Sequence, residues 1–359
     1  MTLKDKVILV TGGTGSMGKT FVKRALSGAD GLPKKIIVMS RDEAKQHYMR
    51  TEYLTKKNNP TDEVIYNNFL NRLQFRIGDV RSYADVLAAL KGVDIVINAA
   101  ALKQVPTCEY FPSQAVETNC KGVSNIVRAI HEHDLPVETV VGVSTDKACK
   151  PVNVMGMTKA IQEKIFISAN VHNKNTKFVC VRYGNVLASR GSVIPFFHEQ
   201  IKAGGPVTLT DNKMTRFLLS LEDAVDIVIE AIENAQPGET FIPVAPTALM
   251  ENVAKALIGD RKIELVVTGI RPGEKMHEAL ISEEESIRTC RRGDYYVIQP
   301  MLPEVIKDNK KYTRDLIGQY ASDANVLNLE DTIKLLERHD LMIEQNQEFN
   351  NSEKKEMIK

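Results

Sequence analysis

Two stretches in the middle of the chain carry side chains that can exchange protons. Asp146 and Lys147 stand side by side directly after the apolar segment 139–144, and Lys159 follows one short segment later. A carboxylic acid beside an amine supplies a general acid and a general base, provided that each pKa is shifted toward neutrality. The run Ser144-Thr145-Asp146 is equally typical of a helix N-cap with solvated charges, so the spacing alone leaves both interpretations open.

A glycine-rich segment near the N-terminus has the spacing of a phosphate-binding turn. Gly12, Gly15 and Gly18 form a G-x-x-G-x-x-G pattern between an apolar segment, 7–10, and a predicted helix, 19–26. The first glycine permits the tight turn, the second lets the backbone approach a pyrophosphate, and the third lets the helix pack closely on the sheet. A helix N-terminus also presents N–H groups to phosphates. We therefore predict a dinucleotide site here, which also includes Thr14, Ser16 and Met17.

The residues after the second predicted strand distinguish between the two nicotinamide dinucleotides. NAD-binding proteins place Asp or Glu here to bind the ribose 2′-hydroxyl, whereas this strand is followed by Ser40 and Arg41. Because Arg makes charge-assisted hydrogen bonds to phosphate, Ser40, Arg41 and Lys45 favour the 2′-phosphate of NADP over NAD. The alternative is that Arg41 is a solvated residue at the start of a helix.

The ends of the following strands predict further contacts to the cofactor. We expect the Asp79 carboxylate to accept from the adenine amino group, and the small side chains of 99–101 to let the backbone pass against the cofactor. The carboxyl ends of parallel strands share one edge of a sheet, so these signals belong together. The predicted contacts at these positions are Asp79, Val80, Ala99, Ala100, Ala101, Asn119, Lys159, Tyr183 and Asn185.

The order of elements predicts an α/β fold. Helical patterns, such as 43–55, 83–90 and 115–131, alternate with apolar strand segments at 7–10, 35–39, 73–77, 93–98, 139–144 and 178–183. Such alternation is typical of a doubly wound parallel Rossmann sheet, which binds its ligand at the carboxyl ends of the strands.

Prolines interrupt this alternation after residue 185, which predicts a smaller C-terminal substrate-binding lobe. We expect the Rossmann domain to cover residues 1–186 plus about 217–236, and the lobe to cover about 187–216 and 237–300. The last part of the chain, about 301–359, is predicted to be a helical extension with a frayed tail.

Composition excludes several classes of protein. The 359 residues predict about two domains, and 43% hydrophobic residues suffice for a real core. A formal net charge of +1 gives no drive toward nucleic acid or an anionic membrane. No stretch approaches a transmembrane helix, no secretory signal is recognisable, and the five scattered cysteines form no zinc or disulfide pattern. We therefore expect a cytoplasmic protein without a bound metal.

Eight segments together resemble one family of extended short-chain dehydrogenase/reductases. They span roughly residues 4–282 and read TGGTGSMG, SRDEAKQ, GDVRSY, NAAALKQVP, STDKACKPVNVMGMTKA, VRYGNVLASRGSVIP, TRFLLSLEDA and RPGEKMHE. In these segments the chain resembles the bacterial UDP-N-acetylglucosamine 4,6-dehydratases of flagellin-glycan and capsule biosynthesis. The TDKA and RPGEK segments are specific to this group, whereas many unrelated oxidoreductases share the glycine motif.

The resemblance implies a dehydration without net redox change. A tightly bound NADP+, recycled in each turnover, takes hydride from C4 of the sugar. A base then removes the C5 proton, an acid assists loss of the C6 hydroxyl, and the hydride returns to C6 to give a 4-keto-6-deoxy sugar. In this family the lysine of the TDK segment is the C5 base and the aspartate is the acid, roles that fall on Lys147 and Asp146.

One position departs from the usual pattern of the superfamily. Most members have Tyr-x-x-x-Lys, in which the tyrosine takes the C4 hydroxyl proton, but Met155 precedes Lys159 here. A thioether is no useful proton acceptor, and some 4,6-dehydratases resemble this chain in having Met there. We expect Thr145 to contact the C4 hydroxyl, and Asp146 or a water on Lys159 to take its proton.

The resemblance also implies a UDP-sugar substrate and a homo-oligomer. Arginine forks suit a diphosphate, and a carboxylate suits ribose hydroxyls. For Arg216 and Arg271, a surface ion pair is the alternative. The implied substrate residues are Lys103, Arg182, Asn185, Arg190, Ser192, Val193, Thr215, Arg216, Arg271 and Glu274.

Two other functions stay open. A nucleotide-sugar 4-epimerase would share the hydride transfer at C4, but it needs no Asp146–Lys147 pair and normally uses the missing tyrosine. A non-catalytic NADP-binding regulator would keep Gly12, Gly15 and Gly18, but it need not keep the acid–base pair together with the segment 271–275.

Overall fold

The computed structural model describes residues 2–55, 60–187, 192–306 and 314–343. They form two compact units, each built from separate stretches of the chain. Unit 1 comprises the described parts of Met1–Tyr183, Leu221–Val244 and Ala279–Tyr320. Unit 2 comprises the described parts of Gly184–Ser220, Ala245–Glu278 and Ala321–Lys359.

Both units mix strands and helices. The strands are β1 (Val7–Thr11), β2 (Lys35–Ser40), β3 (Leu73–Ile77), β4 (Ile95–Asn98), β5 (Thr139–Thr145), β6 (Lys177–Tyr183), β7 (Asn185–Val186), β8 (Val207–Leu209), β9 (Thr215–Leu219), β10 (Thr240–Pro243), β11 (Thr247–Leu249), β12 (Leu265–Val267), β13 (Ala279–Ile281), β14 (Thr289–Arg292), β15 (Tyr295–Ile298), β16 (Tyr320–Ala321) and β17 (Val326–Leu327). The helices are α1 (Ser16–Ser27), α2 (Glu43–Thr55), α3 (Pro60–Arg72), α4 (Tyr83–Leu90), α5 (Val105–Tyr110), α6 (Pro112–Val116), α7 (Gly122–Glu132), α8 (Val154–Ala169), α9 (Val193–Lys202), α10 (Leu221–Asn234), α11 (Met250–Ile258), α12 (Glu283–Ser286) and α13 (Leu329–Arg338). A π-helical turn at Glu117–Lys121 and a 3-10 turn at Asp146–Ala148 join neighbouring elements.

A nine-stranded sheet in the order β14-β15-β10-β6-β5-β4-β1-β2-β3 forms the centre of unit 1. All neighbours from β10 to β3 are parallel, and β15 and β14 add an antiparallel edge beside β10. β1, β2 and β4 are almost completely buried, as expected for apolar strands covered on both faces. The predicted α/β class with a doubly wound, Rossmann-like sheet is therefore confirmed.

The register of the central strands brings their carboxyl ends to one edge. Thr11 at the end of β1 pairs with Asn98 at the end of β4. Asn98 in turn pairs with Gly142, and β5 runs on beyond β4 to Thr145, opposite Tyr183 of β6. The segment that follows β5 therefore begins at the edge where a parallel sheet binds its ligands.

Unit 2 has a smaller sheet in the order β17-β11-β9-β7 and a two-stranded sheet of β12 and β8. Every residue of β9 is buried, so this strand lies inside the unit. Helices α9, α11 and α13 pack apolar side chains into one cluster, which includes Ile194, Phe197, Val253, Leu257 and Leu336. Unit 2 therefore has a hydrophobic core of its own.

The structure divides the chain differently from the predicted domains. β10, β14 and β15 lie in the sheet of unit 1, so residues 237–244 and 279–300 do not belong to the predicted second lobe. Residues 217–220 lie in unit 2 rather than with the Rossmann part. Strands of four residues carry a weak local pattern, and their place is decided by pairing with strands that are distant in sequence.

Three helical predictions also need adjustment. The helix predicted over 115–131 is divided into α6, a π-helical turn and α7. Between the predicted helix 43–55 and the strand β3, the structure contains a further helix, α3. In the C-terminal extension the helix is α13, preceded by the short strands β16 and β17, while the predicted frayed tail from 344 onward lies outside the described residues.

Arg182 on β6 was predicted to contact the substrate, but its side chain is buried in an ion cluster. Its Nη2 lies 2.6 Å from Glu163 Oε2, and its Nη1 lies 2.8 Å from Glu285 Oε2 and donates to the Leu280 carbonyl. Only 3% of the Arg182 side chain is exposed. Burial by itself would raise the pKa of Glu285, but the charge and hydrogen bonds of Arg182 lower it to about 2. Arg182 therefore joins β6 to α8 and α12.

We predict that Arg182→Leu lowers the free energy of unfolding by about 3–5 kcal/mol, because two buried carboxylates lose their counter-ion. Urea unfolding at pH 7, followed by far-ultraviolet circular dichroism, measures the difference. Arg128→Leu is the matched control, since it removes an exposed pair with Glu132 and should leave the free energy of unfolding nearly unchanged. Equal losses in the two variants would contradict the structural role of Arg182.

Candidate active site

The glycine turn after β1 is wedged between β2 and the segment that follows β4. Gly12 has a φ of +66°, and its N–H donates to the Met39 carbonyl at 2.9 Å. A Cβ at Gly12 would lie 2.8 Å from the backbone N and Cα of Ala100. Since real Cβ atoms do not approach so closely, only glycine fits this position. The backbone of the turn is therefore held close to the loop of small residues, as the motif predicts.

The N-terminus of α1 is left open by its sequence. The helix begins at Ser16 with Gly15 as N-cap, no side chain caps it, and its first turn contains no acidic residue. A cap by Asp or Ser would occupy the N–H groups that an anion needs. The third glycine, Gly18, lies against Gly13, where a Cβ would come within 2.6 Å of the Gly13 Cα. The glycine turn together with the uncapped N-terminus of α1, which we call the cradle, therefore fits a pyrophosphate. It contains the predicted residues Thr14, Gly15, Ser16 and Met17.

The end of β2 presents a positive group. Ser40 Oγ contacts Thr14 Oγ1 at 3.1 Å, which joins the end of β2 to the glycine turn. Half of the Arg41 side chain is exposed, and its Nη1 lies 3.7 Å from Asp79 Oδ2. Lys45 pairs with Asp42 at 2.8 Å. Arg41 is therefore the more available cation of the predicted pair.

Two predicted cofactor residues after β3 have roles inside the protein. Asp79 accepts hydrogen bonds from the backbone and guanidinium of Arg81. Burial by itself would raise the pKa of Asp79, but these bonds and the charge of Arg81 outweigh it and hold the pKa below its usual value. The carboxylate is therefore ionised. Val80 packs its side chain into the hydrophobic core against Gly122, so only its backbone is left for a ligand.

Asn119 fixes the loop that follows β4. Its Oδ1 accepts from the Leu102 N–H at 2.8 Å, and its Nδ2 donates to the Leu102 carbonyl and to Thr158 Oγ1, both at 3.0 Å. The side chain is completely buried. Asn119 therefore ties this loop to α8 rather than presenting its amide to a cofactor. The loop contains the partly buried residues Ala99, Ala100 and Ala101 and the exposed residue Lys103.

The acid–base pair lies directly after β5, in the 3-10 turn. Lys147 Nζ is 3.0 Å from Asp146 Oδ1, and the same oxygen accepts from Thr145 Oγ1 at 2.7 Å. Thr145 is also the N-cap of the turn, because its hydroxyl accepts from the Lys147 N–H. Asp146 is fully buried, and its Oδ2 has no hydrogen-bond partner in the described part of the chain. Thr145 thus caps the turn, but the charges are not solvated as that interpretation expected, because Asp146 is buried in contact with Lys147.

Lys159 points back at β5 from α8. Its Nζ donates to the Val143 carbonyl at 2.5 Å and to Gln162 Oε1 at 2.6 Å. Burial lowers the pKa of Lys159 to about 8, because both partners are neutral. Gln162 was missed by sequence reasoning, although its position three residues after Lys159 places the two on one face of a helix.

Met155 and Tyr183 are both buried near this region. The Met155 side chain packs in an apolar cluster with Cys108 and Ala115, so the missing tyrosine is replaced by a core residue. Burial raises the pKa of Tyr183 on β6, so its phenol stays protonated and is no substitute for a proton acceptor.

In unit 2, two predicted substrate residues are occupied by internal hydrogen bonds. The Arg216 guanidinium donates to the carbonyls of Thr215, Lys275 and Met276, and only 7% of the residue is exposed. The Thr215 hydroxyl contacts His277 Nδ1 at 2.8 Å and is buried. Arg216 is therefore neither a surface ion pair nor a free fork, but a support for the segment 271–276.

The other predicted residues of unit 2 differ in exposure. Arg271 is exposed, whereas Glu274 is half-buried, and its Oε2 has no hydrogen-bond partner among the residues that the structure describes. Asn185 lies in β7 with a buried Oδ1 that is similarly unsatisfied there. Ser192 is the N-cap residue of α9 and Val193 begins that helix, while Arg190 lies outside the described residues.

The described ranges contain no group of three or more His, Cys, Asp or Glu residues placed to hold a metal ion. None of their helices is both long and apolar enough to span a membrane.

Known proteins match most of the chain. Residues 8–300 match the family model described as polysaccharide biosynthesis protein. A UDP-glucose 4-epimerase of Rickettsia conorii is 43% identical over 343 residues, covering 92% of this chain and 95% of that protein. A UDP-N-acetylglucosamine 4,6-dehydratase (inverting) of Campylobacter jejuni is 40% identical over 344 residues, covering 90% of this chain and 97% of that protein.

A solved structure matches over a similar extent. Pen from Bacillus thuringiensis is 34% identical, superposes with a TM-score of 0.83, and covers 95% of this chain and 100% of its own. The chain therefore belongs to the polysaccharide biosynthesis protein family, within the nucleotide-sugar dehydratase and epimerase type of extended short-chain dehydrogenase/reductases.

Proposed function

We propose that the protein is an NADP-dependent nucleotide-sugar 4,6-dehydratase, which converts UDP-N-acetylglucosamine or a related hexosamine to a 4-keto-6-deoxy sugar. The observation that carries this proposal is the 3.0 Å contact between Lys147 Nζ and the fully buried carboxylate of Asp146. Loss of water across C5 and C6 needs a base and an acid at adjacent carbons. Epimerisation at C4 needs neither.

The cradle around Gly12 fits a dinucleotide, and Arg41 with Ser40 suits a 2′-phosphate. When bound, the dinucleotide would supply the hydride chemistry, as acceptor of the hydride from C4 and, once reduced, as its donor to C6. The rest of the reaction falls to side chains of this chain. The expected holding residues are Gly12, Thr14, Gly15, Ser16, Met17, Ser40 and Arg41 by direct contact, with Ala99, Ala100 and Ala101 beside them.

Asp146 and Lys147 can exchange one proton across their contact. Once Asp146 carries a proton, the pair consists of a neutral acid and a neutral amine. The amine then takes the C5 proton, while the carboxylic acid gives its proton to the departing C6 hydroxyl, which leaves as water. The pair ends as ammonium and carboxylate. When hydride returns to C6, the Lys147 ammonium, after exchange with solvent, gives a proton back to C5, and the proton released from the C4 hydroxyl reprotonates Asp146.

The C4 hydroxyl proton needs another acceptor, because Met155 is buried in an apolar cluster. We infer that Thr145 contacts the C4 hydroxyl. Its proton passes to Asp146 or to a water on Lys159. A pKa of about 8 allows Lys159 to exchange a proton near neutral pH.

We infer that unit 2 binds the nucleotide diphosphate. The exposed Arg271 supplies positive charge for phosphates, and the unsatisfied Oε2 of Glu274 supplies an acceptor for ribose hydroxyls. Arg216 donates to the Lys275 carbonyl and Thr215 contacts His277, so both side chains hold this segment in place and do not contact the ligand. The resemblance further favours a cytoplasmic enzyme that works as a homo-oligomer on UDP-sugars.

A 4-epimerase is the second candidate, because Rickettsia relatives of 42–43% identity carry the name UDP-glucose 4-epimerase. Such an enzyme would interconvert configurations at C4 without losing water. Its C4 acceptor would have to act without a tyrosine, since Met155 stands at that position. The two candidates therefore give different products from the same sugar.

The first prediction concerns the product. Incubation of the protein with NADP+ and UDP-N-acetylglucosamine in deuterium oxide should give loss of one water, a new C6 methyl signal and one deuterium at C5. Proton NMR and mass spectrometry measure these changes. Lys147→Gln should lower kcat at least about 100-fold, because the C5 base is lost.

Lys164→Gln, a change at an exposed lysine of α8, is the matched control and should leave kcat unchanged. Interconversion at C4 without water loss would overturn the dehydratase in favour of the epimerase. No change with UDP-, GDP- and dTDP-hexosamines alike would overturn both.

The second prediction concerns the choice of dinucleotide. Arg41→Ala should weaken NADP+ binding about 10- to 100-fold, because a charged hydrogen bond contributes about 1.5–3 kcal/mol. Binding of NAD+ should change little, since it lacks the 2′-phosphate. Isothermal titration calorimetry with both dinucleotides provides the comparison, and equal losses for the two would remove Arg41 from the 2′-phosphate site.

The third prediction concerns the turn itself. Gly12→Ala should reduce dinucleotide affinity more than about tenfold, because the new Cβ pushes the turn away from Ala100. Gly28→Ala is the control: Gly28 lies at the other end of α1 and also has a positive φ, +78°, but a Cβ there would meet Leu32 Cδ1 at an ordinary contact distance of 3.8 Å. It should cost about 1 kcal/mol of stability without changing the affinity. Unchanged affinity in folded Gly12→Ala would exclude this turn as the binding site.

A further inference from the structure

Gln162 forms a closed triangle with a lysine and a main-chain carbonyl. The residue is fully buried, and its Oε1 accepts a hydrogen bond of 2.6 Å from Lys159 Nζ. Its Nε2 donates to the Val143 carbonyl at 3.0 Å, and Lys159 Nζ donates to the same carbonyl at 2.5 Å. Val143 lies one residue beyond the last pair of β4 with β5, Asn98 with Gly142. The triangle therefore sits at the carboxyl end of β5.

An amide is the side chain that this triangle requires. The Lys159 ammonium only donates hydrogen bonds and the Val143 carbonyl only accepts them. The group between them must therefore present an acceptor to one and a donor to the other. The terminal amide of Gln162 does both, whereas a carboxylate would turn a second acceptor toward the carbonyl.

The charged groups of α8 and β6 make no hydrogen bond to Lys159: burial lowers the pKa of the amine, and the charge of nearby Glu163 opposes this only in part. Glu163, the next charged residue of α8, is held by Arg182 of β6 at 2.6 Å. Burial raises the pKa of the Cys180 and Cys120 thiols, so both are neutral where they face the amine. In the described part of the chain, the hydrogen bonds of Lys159 thus go to neutral acceptors.

The other elements packed on α8 keep their charges at separate places. In the 3-10 turn, Asp146 and Lys147 bond to each other at 3.0 Å. From α5, Glu109 Oε1 accepts from the Val154 N–H at the start of α8. These contacts leave Gln162 as the side chain that anchors the Lys159 amine.

We propose that Gln162 is a positioning residue for the reaction, which together with the Val143 carbonyl holds the Lys159 amine at the carboxyl end of β5 through neutral acceptors alone. This inference rests on the proposed function, in which a water on Lys159 can take the C4 hydroxyl proton. Met155, one turn earlier on α8, cannot supply the contact, because its side chain packs with Cys108 and Ala115. A neutral anchor keeps the amine in place and stabilises its charge less than a carboxylate would.

The test follows the titration of Lys159 by NMR in protein with NADP+ added. Lysine labelled with carbon-13 at Cε reports the protonation of each amine, and Lys159→Gln identifies the signal. In the natural sequence the signal should titrate near pH 8. In Gln162→Glu it should titrate about 1–3 pH units higher, because a carboxylate then faces the ammonium. The acid limb of the pH profile of keto-sugar formation should move upward with it.

Two further variants make the test specific. Gln162→Met keeps the volume but removes the acceptor, so Lys159 should titrate below the natural value. It also serves if Gln162→Glu fails to fold. Ile161→Glu places the same carboxylate at the adjacent position, where the side chain is half-exposed, and should leave the titration of Lys159 unchanged.

The outcomes separate this proposal from the proposed function. An unchanged Lys159 titration in folded Gln162→Glu or Gln162→Met overturns the role of Gln162, and so does an equal shift in Ile161→Glu. Shifted titrations in a protein that forms no keto sugar from any nucleotide sugar overturn the proposed function instead, while the Gln162–Lys159 contact stands.

Discussion

The interior face of α8 must bury a cation and an anion within two turns of helix, and the rest of the site depends on how each charge is satisfied. Glu163 is met by a permanent cation, Arg182, which is also shared with Glu285. Lys159 is met by an amide and a carbonyl instead. A buried ion pair holds its charges over a wide pH range, whereas a buried amine with neutral partners loses its proton easily. The same helix thus provides one fixed link and one titratable group.

The position of α8 in turn fixes the loops that surround the strand ends. Asn119 joins Thr158 of α8 to both backbone groups of Leu102, so the loop after β4 follows the helix. That loop carries Ala100, against which Gly12 is packed so closely that no side chain fits. The phosphate-binding turn and the helix with Lys159 are therefore connected through one short segment. Glycine at position 12 is a steric requirement, because the atoms that it meets belong to the backbone of Ala99 and Ala100.

Relatives of this chain are named for elimination and for epimerisation, and the reaction that we propose rests on a few side chains at the carboxyl end of β5. The buried Asp146 with Lys147 supplies a proton donor and a proton acceptor side by side. Met155 removes the phenol that the superfamily usually employs, and its apolar neighbours show that the position belongs to the core. Proton exchange at C4 then falls to polar groups at the end of β5. This division of work suits a dehydratase.

The sequence alone determined the features that depend on local spacing. The glycine turn, the parallel sheet, the helix Leu221–Asn234 and the Asp146–Lys147 pair could be predicted, because each is written in consecutive residues. The tertiary structure decided which polar side chains are free. Arg182 appeared to be a substrate ligand, but its partner Glu285 lies 103 residues away. The contacts of Gln162, β10 and β15 likewise involve strands that are distant in sequence, because hydrogen bonding and burial bring together groups that lie far apart along the chain.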